Sequence, residues 1–219
     1  HIIDYALDHK KLKDGDIGPN TGGMGAFSPS NKVTEELKKR INEEVIIPTV
    51  NGLKNENIIY RGVLFIGLII TSSGPKVIEY NVRFGDPECQ TILPKLKTNL
   101  LEILLACCEG KLNQLNIEWL NKKSLCIVVC SKGYPEEFNK NVEIENINKI
   151  ILKEGDFLFH AGTIKKNDKI YAIGGRVLNF ITVSENLKSA RENILKNIEK
   201  LNWSGGFYRR DIGYKVIDK

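Results

Sequence analysis

Two β-rich runs joined by a short turn constrain this chain most. Arg61-Gly-Val-Leu-Phe-Ile-Gly-Leu-Ile-Ile-Thr71 is followed by Ser72-Ser73-Gly74-Pro75 and then by Lys76-Val-Ile-Glu-Tyr-Asn-Val82. That pattern predicts an antiparallel hairpin, in which side chains alternate between faces with period two. Val77, Glu79 and Asn81 then share one face, and Ile78, Tyr80 and Val82 the other. A carboxylate and a carboxamide are aimed together from one rigid strand. Two oxygen donors so placed suit a hard cation such as Mg²⁺, which takes few protein ligands and completes its shell with phosphate and water. A solvent-exposed strand face with incidental polar residues is the alternative.

The apolar run of that hairpin, from Gly62 to Thr71, falls well short of the roughly 18–20 residues a membrane-spanning helix needs, so no transmembrane helix is expected. The opening His1-Ile2-Ile3-Asp4 has no cationic stretch, apolar segment and cleavage site in series, so secretion is not expected. It also lacks an initiator Met, which points to a processed or truncated chain. The net charge of +5, from 32 bases and 27 acids, is spread thinly and not gathered into a nucleic-acid stripe. Five cysteines, without zinc-like pairs and mostly inside apolar segments, read as buried reduced thiols of a cytoplasmic protein.

The 219 residues suffice for one large or two small domains. Asp8 to Asn31 reads as a loop, dense in Gly, Pro, Asn and Asp, and a loop of that length is usually functional. Thr34 is placed to cap a helix that runs toward Val45, where Pro48 ends or kinks it. A Leu-rich helix is expected from about Thr98 to Glu109, and a mainly β unit after Gly110. Its strands are expected at 124–130, 157–164, 169–173 and 176–183, with Lys166-Asn167-Asp168 as a hairpin turn. One long helix, Ser184–Leu201, carries Leu187, Ala190, Ile194, Ile198 and Leu201 at steps of three and four. The domains expected are residues 1–98 and 99–219.

Three constellations are able to carry chemistry. Gly18-Pro-Asn-Thr-Gly-Gly-Met-Gly-Ala26 is either a structural turn or a loop whose amides cradle an anion; it fits neither the Walker nor the dinucleotide pattern. The strand from Val77 runs into a turn carrying Arg83, Asp86 and Glu88, and Arg83 has the forked donor set that reaches a phosphate or carboxylate. Phe84-Gly85-Asp86 invites a protein-kinase reading, but no catalytic-loop pattern accompanies it. The third set is Phe159-His-Ala-Gly-Thr163, Gly174-Gly-Arg-Val177 and Phe207-Tyr-Arg-Arg-Asp-Ile-Gly213. His160 reads first as a structural histidine, while His9 borders the glycine loop. No nucleophile with a readable base stands out.

Together, Asp8-His-Lys10, Gly18–Gly25, Val77–Asn81, Arg83–Glu88, Gly133-Tyr-Pro135, Phe159–Thr163, Gly174–Val177 and Arg210–Gly213 resemble the glycinamide ribonucleotide synthetase (phosphoribosylamine–glycine ligase) family of the ATP-grasp superfamily. The strings occur in the family's order and cover nearly the whole chain. The resemblance implies an α+β fold: a partial ATP-grasp domain, an antiparallel sheet with helices, followed by a β-rich C-terminal domain with one long helix. It implies an enzyme of purine biosynthesis in which ATP phosphorylates the glycine carboxylate and the amine of 5-phosphoribosylamine attacks the acyl phosphate. ATP and Mg²⁺ (or Mn²⁺) are the implied cofactors, with Glu79 and Asn81 on the metal. Lys10, Arg83 and Asp86 are implied as catalytic residues. Asp8, Asn20, Thr21, Gly22, Gly23, Met24, Gly25, Gly85, Pro87, Glu88, His160, Arg176 and Arg210 are implied to bind substrates. Ala172-Ile173 stands where the family often has a polar pair. The family's N-terminal part, with its nucleotide lid, has no counterpart in the sequence, so this chain is expected to be the C-terminal half and inactive alone. Its expected partners are that missing part and the small-molecule substrates. Another ATP-grasp carboxylate–amine ligase, or a non-catalytic module derived from one, remains the alternative.

Overall fold

The structure, a computed structural model, describes residues 1–217. Packing divides them into two compact units that interleave along the sequence. The first gathers His1–Ile3, Asn31–Gly85 and Leu96–Trp119; the second gathers Asp4–Ser30, Asp86–Lys95 and the described chain from Leu120 onward. This grouping differs from the linear division at residue 98, because Asp4–Ser30 and Asp86–Lys95 supply strands and a helix to the later part of the chain.

In chain order the first strands are β1 (Leu7–Asp8), β2 (Lys11–Lys13), β3 (Ile17–Asn20) and β4 (Gly25–Ser28). The stretch expected to be a loop is therefore largely short strands. β4 reads Gly-Ala-Phe-Ser and is buried at every position, so it lacks the polar alternation that marks a half-exposed strand. β2 and β3 pair antiparallel around a 3₁₀ turn at Asp14–Asp16, where Gly15 has φ 71°.

In the first unit, the Thr34 hydroxyl accepts the Leu37 N–H at 3.2 Å and opens α1 (Glu35–Ile41). A π-helical turn, Asn42–Ile46, leads into α2 (Ile47–Asn55). Pro48 therefore does not end the helix. It lies in the first turn of α2, directly after a π turn that has already widened the hydrogen-bond ladder, so its missing N–H costs little. The hairpin forms as expected from β5 (Phe65–Thr71) and β6 (Gly74–Asn81), with Phe65 opposite Asn81, Gly67 opposite Glu79, and a bulge between Gly67 and Leu68.

The chain next forms α3 (Glu88–Ile92) in the second unit and α4 (Leu100–Glu109) in the first. Asn99 caps α4 by accepting the Leu101 N–H at 2.9 Å, and Gly110 closes it in the left-handed region at φ 73°. The five cysteines are free, but the expectation of burial holds fully only for Cys126 and Cys130; Cys108, on α4, is exposed.

The rest of the second unit comprises β7 (Lys123–Ser131), β8 (Val142–Glu143), β9 (Asp156–His160), β10 (Thr163–Lys166), β11 (Lys169–Ala172) and β12 (Arg176–Ser184). They are followed by α5 (Leu187–Leu201), β13 (Gly206–Phe207) and α6 (Tyr214–Ile217). The main antiparallel sheet has the order β1-β4-β7-β12-β9, with β13 paired to the end of β7. The single strand expected over 157–164 is two strands in different sheets. It breaks at Gly162, which packs on Gly174 so closely that an added Cβ would lie 2.6 Å from the Gly174 Cα. β10 then joins β11 and β8 in a three-stranded sheet. Asn167 and Asp168 make the predicted turn, both in the left-handed region at φ 48° and 61°.

α5 begins at Leu187, where the Asn186 side chain accepts the Ser189 N–H at 2.8 Å. It buries Leu187, Ala190, Ile194, Ile198 and Leu201, the stripe read from the sequence, against β12 and β7. Leu125 to Cys130 on β7 are all buried, so this strand is the centre of the core. No helix among the described residues is long and apolar enough to cross a membrane.

Candidate active site

Within the second unit, β1, the glycine loop, the start of α3 and the start of β12 bring their polar groups together around Gly22. Arg176, at the first position of β12, donates from Nη1 to the Gly22 carbonyl (2.8 Å) and to the Asp86 carbonyl (2.7 Å), and from Nη2 to Asp86 Oδ2 (3.1 Å). Lys10 lies 2.6 Å from Asp8 Oδ2 and donates to the Gly22 carbonyl at 3.4 Å. The Tyr134 hydroxyl accepts the Gly22 N–H at 2.8 Å. The exposed Gly22 is thus gripped through both its N–H and its carbonyl.

The loop itself is held by Thr21, whose hydroxyl donates to the Lys10 carbonyl (2.9 Å) and accepts the Gly23 N–H (3.0 Å). Gly23, at φ 121°, admits no side chain, because a Cβ would stand 2.6 Å from Pro87 Cδ and 2.9 Å from Asp8 Oδ1. Gly23 is therefore required for close packing against Pro87 and Asp8.

Burial sets the electrostatics. Burial, with the nearby charge of Glu88, raises Asp8 to about 7 in spite of the Lys10 ammonium. Glu88 is raised as well, first by burial. His9, next in the chain, is lowered to about 4 by burial and by the charge of Arg209. Its Nε2 accepts the Gly213 N–H at 3.1 Å, which requires the neutral ring, and it sits between the rings of Phe27 and Tyr214. Arg209, only 1% exposed, bonds Asp211 (2.8 and 2.9 Å), Asp16 (2.9 Å) and the Lys11 carbonyl (3.0 Å). It fixes the turn after β2 to the end of the chain.

The sequence-predicted residues divide accordingly. Asp8, Lys10, Thr21, Gly22, Gly23, Asp86, Pro87, Glu88 and Arg176 form the cluster. Asn20 is exposed and pairs with Lys11 across β2 and β3. Met24 is fully buried, its sulfur 3.8 Å from Cys130 Sγ, so its side chain belongs to the core. Gly25 serves β4, where a Cβ would meet the Cys126 carbonyl at 2.5 Å. His160 bonds Thr163 at 3.0 Å, the local structural role first read for it. The Arg210 side chain engages the Tyr208 ring (5.6 Å) and Glu199 (3.7 Å), and neither belongs to the Gly22 cluster. Tyr134, His9 and Arg209 emerge as residues the sequence left without a role. Only the Gly133-Tyr-Pro135 string signalled the first.

The metal candidates lie in the first unit. Glu79 is exposed and Asn81 half-buried, and both project from the same face of β6. Gly67, directly opposite Glu79, leaves the room its side chain occupies: a Cβ there would stand 3.0 Å from Glu79 Cγ. Two hard oxygen donors on one strand face, one exposed and one half-buried, fit a cation that brings its own water and phosphate. Arg83 and Gly85 are in the same unit; Arg83 is exposed and donates to the Phe84 carbonyl at 2.7 Å, while Gly85 is buried.

Family comparison bears on this arrangement directly. Residues 1–89 match the phosphoribosylglycinamide synthetase ATP-grasp (A) domain, and residues 124–215 match the C domain of the same enzyme. The chain belongs to the phosphoribosylglycinamide synthetase family. Among its relatives, the phosphoribosylamine–glycine ligase of Caldanaerobacter subterraneus is 47% identical over 94% of this chain and 49% of its own length. That of Agrobacterium fabrum is 45% identical over 97% of this chain and 50% of its own length. The crystal structure of the Thermotoga maritima ligase superposes with a TM-score of 0.82 at 34% identity, covering 96% of this chain and 51% of that one. A biotin carboxylase from Campylobacter jejuni, at 14% identity and a TM-score of 0.62, shares the fold. The chain spans about half the length of the synthetases it matches. Arg176 lies in the part matched by the C domain, and its partners Gly22 and Asp86 lie in the part matched by the ATP-grasp domain.

Proposed function

We propose that this chain contributes to a phosphoribosylamine–glycine ligase, joining glycine to 5-phosphoribosylamine with conversion of ATP to ADP and phosphate. The observation that carries the reading is the ordered match to both synthetase domains, joined at Gly22 by Arg176. The chemistry needs positioning and charge neutralisation more than a nucleophilic side chain. Lys10 and Arg176 supply positive charge beside exposed loop backbone. Asp86 orients the Arg176 fork, and Arg83 is a further anion donor. Glu79 and Asn81 are assigned to Mg²⁺ or Mn²⁺, which would neutralise phosphate charge when bound. Asn20, Met24 and Gly25 shape the loop and need not touch substrate, and Asp8, Pro87 and Glu88 form its floor. His160 and Arg210 are assigned supporting positions only.

We read residues 1–98 as part of the ATP-grasp domain and 99–219 as the C-terminal domain of a cytoplasmic enzyme, with the remaining ligase polypeptide as partner. The test is ligation itself. A ligase containing these residues is expected to convert labelled glycine to glycinamide ribonucleotide only when ATP and phosphoribosylamine are both supplied, and residues 1–219 alone are expected to be inactive. Another amine replacing phosphoribosylamine at equal rate favours a different ATP-grasp ligase.

A further inference from the structure

Tyr134 has no part in the roles assigned so far, yet its hydroxyl is at the centre of the Gly22 cluster. It accepts the Gly22 N–H at 2.8 Å, and a Cβ on Gly22 would lie 3.1 Å from Tyr134 Oη and 3.0 Å from the Arg176 guanidinium carbon. The ring is seated against Gly175, where a Cβ would come within 2.3 Å of Tyr134 Cδ2, so the phenol is aimed by close packing on the residue preceding Arg176. A tyrosine hydroxyl has one proton to give. Because its oxygen is already engaged as acceptor, that proton points away from Gly22, and among the described residues it has no acceptor. Arg176 spends three of its five N–H donors on Gly22 and Asp86. Two kinds of uncommitted donor therefore stand together at an exposed peptide.

We propose that the Tyr134 hydroxyl is a substrate ligand: it holds the Gly22 peptide in place and donates its proton, beside Arg176, to an anionic group of a substrate. The chemistry recognised is a phosphate or carboxylate oxygen. That the anion belongs to a ligase substrate rests on the reading above; that the site takes an anion rests on the donors alone.

Tyr134→Phe is the informative change, since it keeps the ring on Gly175 and removes only the hydroxyl. Gly22 is exposed, so water replaces the lost acceptor and the fold is expected to persist. In the first arm, the ¹⁵N-labelled chain is titrated with inorganic phosphate and, separately, with glycine. One of the two is expected to shift the Gly22 amide resonance and to bind about tenfold to a hundredfold more weakly to the variant, as loss of one hydrogen bond to a charged group predicts. Phosphate sensitivity assigns a phosphate, and glycine sensitivity a carboxylate. No Gly22 shift with either probe, or equal affinity of variant and wild type, overturns the proposal. In the second arm, the ligase containing this chain is expected to show a KM raised about tenfold to a hundredfold for one anionic substrate, with kcat within about twofold. An unchanged KM for every substrate in an active ligase overturns the proposal and leaves the ligase reading standing. An inactive wild-type ligase removes that reading, and the titration arm still decides the role of Tyr134.

Discussion

Acidification is expected to weaken the second unit through His9, an effect that a non-titrating residue there removes. His9 is 4% exposed, accepts the Gly213 N–H through Nε2 and lies near the buried Arg209. Protonating it destroys the acceptor and sets two cations against each other. Its folded pKa is lowered from 6.5 to about 4, so the unfolded chain takes up this proton first as pH falls. The stability His9 contributes is complete above pH 6.5 and is lost as pH falls toward 4. At about 1.4 kcal/mol per pKa unit the full loss is ~3 kcal/mol, of which about 2 kcal/mol falls between pH 7 and pH 5.

Asp8 acts in the opposite direction. Its carboxyl is raised from 3.8 to about 7, so its charged form burdens the fold as pH rises through that window, and acidification from pH 7 to pH 5 restores about 2 kcal/mol. The wild-type profile is therefore nearly flat over this range, and His9→Gln, which keeps an acceptor for Gly213 and does not titrate, is expected to gain about 2 kcal/mol at pH 5 relative to pH 7. Urea denaturation reads this best through Trp203, whose indole N–H donates to the Glu143 carbonyl at 2.9 Å, in a Trp119→Phe background, because the two units need not unfold together. Parallel pH profiles for wild type and His9→Gln would refute the reasoning.

Arg209→Met leaves Asp211 without its cation and Asp16 with Lys215 alone, and is expected to destabilise the fold by about 2–3 kcal/mol in the same denaturation assay. Gly23→Ala forces a Cβ onto Pro87 and Asp8 at a positive φ, and is expected to raise substrate KM and lower the melting temperature together, read by kinetics and calorimetry of the ligase. Glu79→Gln in that ligase is expected to lower kcat sharply and to raise the Mg²⁺ concentration needed for half-maximal rate, as measured by metal titration; unchanged kinetics at limiting Mg²⁺ removes Glu79 from the metal site.

The elements legible in the sequence were those with a sustained period or a strong cap. β6 showed its alternation, α5 its apolar stripe, α1 its Thr34 cap, and the Asn167-Asp168 turn its left-handed residues. β4 was not legible, because a four-residue strand buried on both faces has neither alternation nor length. Pro48 left ending and kinking both open, because its effect depends on the π turn before it, and no local pattern marks that turn. At the site, the glycine loop and Asp86 stood out by residue type, while Lys10 and Arg176 were named only through the family resemblance. Arg176 reaches Gly22 across 154 positions of sequence and Asp86 across 90, pairings that only the fold makes. Tyr134 was hidden for the same reason: a tyrosine becomes a loop anchor only when Gly175, 41 positions later and just before β12, lies beneath its ring, far outside the roughly 11–18-residue window over which sequence pattern is read.

The proposed function requires a carboxylate that is phosphorylated before the amine attacks it. The ligase containing this chain, supplied with glycine carrying ¹⁸O in both carboxylate oxygens, is predicted to release phosphate bearing one ¹⁸O for each amide formed. Unlabelled phosphate formed alongside the amide would contradict it.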